Sequence, residues 1–287
     1  MDTFNSPLRY PGGKGRLTQF VADLIETNGM TGCHYVEPYA GGAGIAISLL
    51  YLEYADHIHL NDLNRSVHAF WHSVLNEPEK LVRLVRNTVP TMDEWQRQKD
   101  IQKSDSASTL ELGFSTFFLN RTNRSGIIKG GVIGGKDQAG TWKLDARYKT
   151  HDLARRIEKV ASYSSRITLY NRDATDLIRE VVPQLPEKTL VYLDPPYYVK
   201  GKGLYEDHYR HDDHAAVAAL VRSSIRQPWI VSYDNVQPIV DLYAGLRQTE
   251  FGIWYTAGRR YSGKEVMVFC DALKIPDVIE PSRRVAA

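Results

Sequence analysis

Two cysteines, Cys33 and Cys270, are too few for a disulfide framework, and their scarcity points to an intracellular setting. No apolar run is long enough to cross a bilayer and no signal-peptide pattern is present, so neither a membrane protein nor a secreted one is expected. Internal repeats and low-complexity tracts are missing, which excludes solenoids and biased linkers. Charge of one sign is missing too. The 36 Lys and Arg against 34 Asp and Glu leave +2, which neither demands nor excludes nucleic acid. Lys14 follows glycines, but the spacing is wrong for a triphosphate loop and no Ser or Thr comes after it.

What is there is ample for a core. The chain has 287 residues, 43% hydrophobic and 24% charged, which fits one α/β domain with an insertion or two domains. Its most informative stretch is Thr189-Leu190-Val191-Tyr192-Leu193-Asp194-Pro195-Pro196-Tyr197. A buried strand ending in Asp-Pro-Pro-Tyr carries a carboxylate to the carboxyl edge of a sheet, where α/β proteins bind ligands. The prolines stop the strand, because each lacks an N–H and holds its predecessor extended. An exocyclic amine on a heteroaromatic base is a poor nucleophile, its lone pair being delocalised into the ring. The Asp194 carboxylate and the Pro195 carbonyl can grip its N–H bonds and favour a pyramidal nitrogen. Tyr197 can stack on a base swung out of the helix. The plainer reading of this tetrapeptide is an ordinary strand-to-turn exit.

Upstream, Arg9-Tyr10-Pro11-Gly12-Gly13-Lys14 precedes a helix predicted over 17–27 and forms a close-approach loop with a cation, apt for a carboxylate or phosphate. A flexible leader is the bland alternative. A strand at 34–38 then runs through Glu37 and Pro38 into Tyr39-Ala40-Gly41-Gly42 and an apolar helix, the glycine turn of a Rossmann-like unit. The next short strand, 57–60, ends at Asn61-Asp62, about twenty residues past the turn, where an acid that binds ribose hydroxyls is expected. Asp173, after the strand predicted at 166–170, is a candidate acceptor for the cofactor's adenine amine.

From Asn64 to Leu119 the apolar spacing is helical, with helices predicted at 78–89, 92–102 and 108–119. Consecutive helices are too long a block for one sheet crossover, so the segment reads as an insertion. It leads into Asn120-Arg121-Thr122-Asn123-Arg124-Ser125 and a glycine-rich run with Lys129, Lys136 and Trp142. From Arg121 to Lys159, ten Lys or Arg face four Asp or Glu. A cationic, glycine-rich loop or hairpin suits phosphate contact and groove insertion; a solvated charged face is the ordinary alternative. Residues 201–210, with Tyr205 and Tyr209, suit a loop closing over the site. His208, His211 and His214 invite a metal reading, but Asp212 and Asp213 read better as the start of a helix running to Ile225, and no metal is expected. Strands are predicted at 229–233, 250–255 and 265–270, the last two as an antiparallel pair.

Taken in this order, the motifs resemble the Dam-type DNA adenine-N6 methyltransferases, over nearly the whole chain. The resemblance implies a Rossmann-like α/β sheet with an antiparallel terminal strand pair and an inserted helical or hairpin DNA-recognition domain. Residues 1–62 and 160–275 are expected to form the catalytic domain, 63–159 the basic target-recognition insert and 276–287 a flexible tail. It implies S-adenosylmethionine as methyl donor, leaving S-adenosylhomocysteine. Contacts to it are expected from Tyr10, Lys14, Glu37, Pro38, Tyr39, Ala40, Gly41, Gly42, Asp62, Asp173 and Asp194. Asp194, Pro195, Pro196 and Tyr197 would hold the target amine. Arg9, Asn120, Arg121, Asn123, Arg124, Ser125, Lys129 and Lys136 would meet double-stranded DNA. A monomer in the cytoplasm is expected, and a partner restriction enzyme is compatible with the resemblance.

Two departures stand out. Tyr39 occupies a position where Phe is commoner. The segment after Asn120-Arg121 does not resemble the hairpin by which GATC-specific members read their site, so chemistry carries over and target sequence does not. Other readings keep their own expectations. Cytosine-N4 methyltransferases use the same corner, with Ser commoner than Asp at its start. An RNA or protein-amide methyltransferase would share the cofactor half. A NAD-dependent oxidoreductase would leave Asp194 to Tyr197 idle, and a DNA-binding module without catalysis would need no cofactor pocket.

Overall fold

Largely buried runs of apolar and β-branched residues build a seven-stranded sheet in the order β3-β2-β1-β4-β5-β7-β6. The strands are β1 Cys33–Glu37, β2 Ala55–Asn61, β3 Ile167–Tyr170, β4 Thr189–Leu193, β5 Trp229–Asp234, β6 Arg247–Tyr255 and β7 Tyr261–Phe269. The first five run parallel, and β7 enters antiparallel between β5 and β6. The computed structural model describes residues 5–9, 14–199, 209–255 and 261–276, without the side chains of 253–255 and 261–262. Strand order reverses between β1 and β4, so the carboxyl ends of Glu37, Asp62, Asp194 and Asp234 line one edge around a topological switch point.

β4 is fully buried, as its run of apolar residues predicts for a strand covered on both faces. The terminal pair is longer than the sequence suggested. β6 begins at Arg247 and β7 spans 261–269, because main-chain pairing from Arg247↔Phe269 to Tyr255↔Tyr261 extends past the apolar residues that signalled them. Within the first five strands, the observed bounds differ from the predicted ones by one or two residues.

The block between β2 and β3 is helical. It comprises α3 Arg65–Asn76, α4 Pro78–Asn87, α5 Met92–Lys103, α6 Thr109–Thr122 and α7 Thr150–Ala161, after α1 Thr18–Thr27 and α2 Gly44–Tyr51 near the start of the chain. Asn64 caps α3 by accepting from the Ser66 and Val67 N–H groups. Ser108 and Glu111 form a capping box on α6. α6 runs to Thr122, three residues beyond its predicted end, so Asn120, Arg121 and Thr122 form its last turn and are buried. The side chains of Asn120 and Arg121 bond carbonyls of the segment 5–9, and those tertiary contacts hold the extra turn. Of the loop or hairpin expected here, the described residues form a loop: a single antiparallel bridge, Asn123↔Val132, is followed by turns. α7 was not foreseen; its apolar face of Leu153, Ala154, Ile157 and Val160 packs inward.

α3 crosses α6 closely at Gly113. A Cβ there would lie 2.5 Å from Ser73 Oγ and 2.6 Å from the Ala69 carbonyl oxygen. Backbone cannot yield as a flexible side chain would. Gly113→Val is expected to lower stability by about 1–3 kcal/mol or more, read as a lower denaturant midpoint, and an unchanged midpoint would mean that the helices separate freely.

On the β1–β2–β3 side, parallel register and period two gather three histidines. The His34 and His59 rings are bonded through Nδ1 and Nε2 at 3.0 Å, and His59 Nδ1 is bonded to the Tyr170 hydroxyl at 3.1 Å. Burial first, then His57 and His34, pushes His59 down to about 3. A depressed histidine contributes stability above its unfolded pKa of about 6.5 and loses it as pH falls toward the folded value. The thermal midpoint should therefore fall between pH 6.5 and 3, and more gently in His59→Gln. Equal slopes for the two proteins would dismiss His59 as a source of acid lability.

Candidate active site

β4 stops at Leu193, and Asp194 follows at the exposed lip of the sheet with its side chain 26% accessible. Leu193 pairs with Val231, so the next residue stands beside Ser232, whose hydroxyl donates to Asp194 Oδ1 at 2.8 Å. The Tyr192 and Ser232 hydroxyls are themselves bonded at 2.9 Å. Burial pushes the Asp194 carboxyl above its ordinary value against the pull of Lys14.

Lys14 is the largest correction to the sequence reading. A cation at a phosphate or cofactor carboxylate was expected. Instead its ammonium sits within the protein, 3.2 Å from Asp194 Oδ1 and 2.9 Å from Glu265 Oε2, and donates to the Tyr197 hydroxyl at 2.8 Å. Its pKa stands well above the ordinary value: burial opposes the charge, and Asp194, Tyr197 and Glu265 together outweigh it. Tyr197 donates in turn to Glu265 Oε1 at 2.7 Å. Its ring is 1% exposed, so the stacking platform foreseen from the tetrapeptide is covered in this conformation.

Sequence reasoning missed Ser232, Asp234 and Glu265 as members of this corner. Asp234 accepts from the Tyr198 and Val199 N–H groups at 2.8 and 3.0 Å and so fixes the chain leaving Asp194 to Tyr197. It is paired in register with Glu265 across β5 and β7. The available signal was an acid closing the strand Trp229–Asp234 and another, Glu265, opening the apolar run Val266–Phe269.

The glycine turn lies beside this corner. Gly41 has φ +47°, and its N–H donates to Asp62 Oδ2 at 2.9 Å while Trp71 Nε1 donates to its carbonyl. Asp62 Oδ1 also takes the Asn64 N–H at 2.9 Å, so its carboxylate shapes the turn and faces the same edge. Pro38 and Ala40 are buried beneath the turn. The Pro38 carbonyl accepts from Asn61 Nδ2, and Gly42 accepts from the Ser6 hydroxyl at 2.5 Å. Glu37 is buried, accepts from the Ala46 N–H at 3.1 Å, and burial pushes its carboxyl up to about 8. Tyr39 meets Tyr209 through their hydroxyls at 3.1 Å. Asp173 Oδ1 caps the helix Ala174–Glu180 by accepting from the N–H and hydroxyl of Thr175. Tyr10 and residues 201–208 of the expected closing loop lie outside the described residues, as do 277–287.

The basic segment divides into two sets. Asn120, Arg121 and Asn123 are buried and bonded to main chain, which corrects their assignment to DNA contact. Asn120 accepts from the Arg9 N–H and donates to the Arg9 and Gly126 carbonyls. Arg121 Nε donates to the Pro7 carbonyl at 2.8 Å, and Asn123 bonds Trp95, Ile127 and Ile128. These side chains hold the loop and the N-terminal segment together. Arg124, Lys129 and Lys136 are exposed, Ser125 is half-buried with φ +57°, and Trp142 is 70% exposed. Arg9 is half-buried, its backbone clasped by Asn120.

Among the described residues no group of His, Cys, Asp or Glu is arranged to hold a metal ion, and no helix is long and apolar enough to cross a membrane. His211 bonds the Tyr198 hydroxyl and His214 the Tyr233 hydroxyl, within a helix His211–Ser224. His208 lies outside the described residues.

No curated protein matches the chain. Among solved structures, the rRNA methyltransferase aviRa from Streptomyces viridochromogenes is 12% identical with a TM-score of 0.42, covering 91% of this chain and 85% of its own. TrmN from Thermus thermophilus is 12% identical with a TM-score of 0.39 over 88% of this chain and 48% of its own. A SAM-dependent methyltransferase from Agrobacterium tumefaciens is 9% identical with a TM-score of 0.38 over 89% and 62%. The decisive match is a family model spanning residues 10–260. The chain belongs to the D12 class N6 adenine-specific DNA methyltransferases, for which S-adenosylmethionine is the expected methyl donor.

Proposed function

We propose that this enzyme methylates a flipped adenine in DNA with Asp194 and the Pro195 carbonyl holding the target amine. The observation that carries this reading is the placement of Asp194: a partly exposed carboxylate at the switch edge, its described bonds to Ser232 and Lys14 both on Oδ1. Oδ2 then serves the incoming amine. Pro195 and Pro196 stiffen the corner, since neither can rotate φ freely. Two acceptors on the N–H bonds pull the amine toward a pyramidal geometry and free its lone pair. The amine proton becomes acidic only as the nitrogen gains its fourth bond and the methyl leaves sulfur, so Asp194 would orient the amine first and take up the released proton late. Positioning of this kind supplies much of an enzyme's acceleration.

The residues around the glycine turn fit a cationic, adenosine-containing cofactor. Glu37, Asp62, Asp173 and Asp194 give that edge four carboxyls, and Gly41 takes a left-handed backbone conformation that favours glycine. When bound, S-adenosylmethionine supplies an electrophilic methyl group on a sulfonium. Asp62 and Asp173 are proposed to hold its hydroxyl and amine donors, and Glu37 a positive end. A cation there would draw the Glu37 proton off. Tyr197 is proposed to stack on the base once the corner opens.

Residues 63–159 are proposed as the target-recognition insert. Its exposed Arg124, Lys129 and Lys136 with Trp142 present cations and a ring on one loop, and Arg124 lies within 4.0 Å of a Cβ built at Gly135. One chain carries both corner and loop, which supports a monomer as the working unit.

Incubation with labelled S-adenosylmethionine and unmethylated genomic DNA, followed by nucleoside analysis, tests the corner. Wild type should form N6-methyladenine, and Asp194→Ala should be slower by at least about 10²-fold, with fold and cofactor binding checked separately. Comparable rates would remove Asp194 from the chemistry. For the loop, Arg124→Ala and Lys136→Ala should each weaken DNA binding across sequences and reduce the salt slope by about 1. Unchanged affinity at low salt would take those residues out of the interface.

A further inference from the structure

Lys14 sets a difficulty for any role of Asp194 as an acceptor. A cation beside a carboxylate lowers its pKa by about 1–3 units and weakens it as an acceptor. Lys14 Nζ stands 3.2 Å from Asp194 Oδ1. Glu265 lies closer to the same ammonium, at 2.9 Å, and its side chain is fully buried. Its other oxygen receives the Tyr197 hydroxyl, which itself accepts from Lys14. β7 delivers Glu265 opposite Asp234, so strands hold it on both sides. For stability alone such a buried ionic group is a poor device, because desolvation offsets the attraction and apolar residues of equal volume serve as well.

We propose that Glu265 is a positioning residue for methyl transfer: it shares the Lys14 charge and fixes the Tyr197 hydroxyl, so that Asp194 keeps its strength as acceptor for the target amine. This inference rests on the role given to Asp194 above. Burial is the main reason the Asp194 carboxyl stands above its ordinary value; Lys14 pulls it down and Glu265 adds to the rise.

Single-turnover methylation of unmethylated genomic DNA, measured over about pH 5 to 9, tests it. In Glu265→Gln the whole Lys14 charge falls on Asp194. The acid limb of the rate profile should move to lower pH, and the plateau should drop on the order of 10²-fold. Lys14→Met/Glu265→Gln removes both charges and should recover at least about tenfold of that loss, with an acid limb near that of wild type. Glu265→Asp, which keeps the charge, should also stay near the wild-type profile. A wild-type profile in Glu265→Gln overturns the proposal. So does a slower Glu265→Gln whose acid limb has not moved and whose rate the second substitution does not restore. If Glu265→Gln does not fold, the acid limb of the double variant decides: near wild type supports the proposal, displaced overturns it. A wild type that forms no N6-methyladenine would instead sink the reading of Asp194 itself.

Discussion

A lysine ammonium buried inside a protein must be surrounded by acceptors, and the corner of this enzyme is built to meet that demand. Lys14 has its needs filled by β4 through Asp194, by the turn after it through Tyr197, and by β7 through Glu265. Two stretches far apart in sequence, Asp194 to Tyr197 and the strand holding Glu265, converge on one charge. Removing any one acceptor would leave the others with an imbalance that a low-dielectric interior penalises heavily. Lys14 is thereby fastened to the sheet edge.

The N-terminal segment 7–9 is fastened elsewhere. Asn120 holds both backbone groups of Arg9, Arg121 holds the Pro7 carbonyl, and a Cβ at Gly126 would lie 2.4 Å from the Arg9 carbonyl oxygen. Arg121 remains a cation at neutral pH even though burial, Arg9 and Arg156 push it down to about 9. The basic loop is therefore clasped to the segment 7–9.

Much of this was legible in the sequence, for physical reasons that differ by element. β4 and its Asp-Pro-Pro-Tyr exit stood out because a fully buried strand must be continuously apolar and proline must end it. The glycine turn was legible because Gly41 needs a positive φ. Asp62 could be placed because one helix and one strand return the chain to the same sheet edge. The helical block showed itself by three- and four-residue spacing. The end of α6 did not, because Asn120 and Arg121 are polar and read as exposed loop. Only their tertiary partners explain why they are buried.

The sequence by itself determined the chemistry on offer: a carboxylate at a strand end, a glycine turn with an acid in register, a cationic insert, and the order in which they occur. These are properties of local pattern, and local pattern is encoded in neighbouring residues. Tertiary structure alone decided that Lys14 serves Asp194, Tyr197 and Glu265 rather than a phosphate, that Asn120, Arg121 and Asn123 brace a loop instead of reading DNA, and that Ser232 and Asp234 support the corner. Each of those assignments depends on which distant side chain fills a hydrogen-bonding demand inside the protein. That demand is settled by strand register and burial, neither of which any short stretch of residues contains.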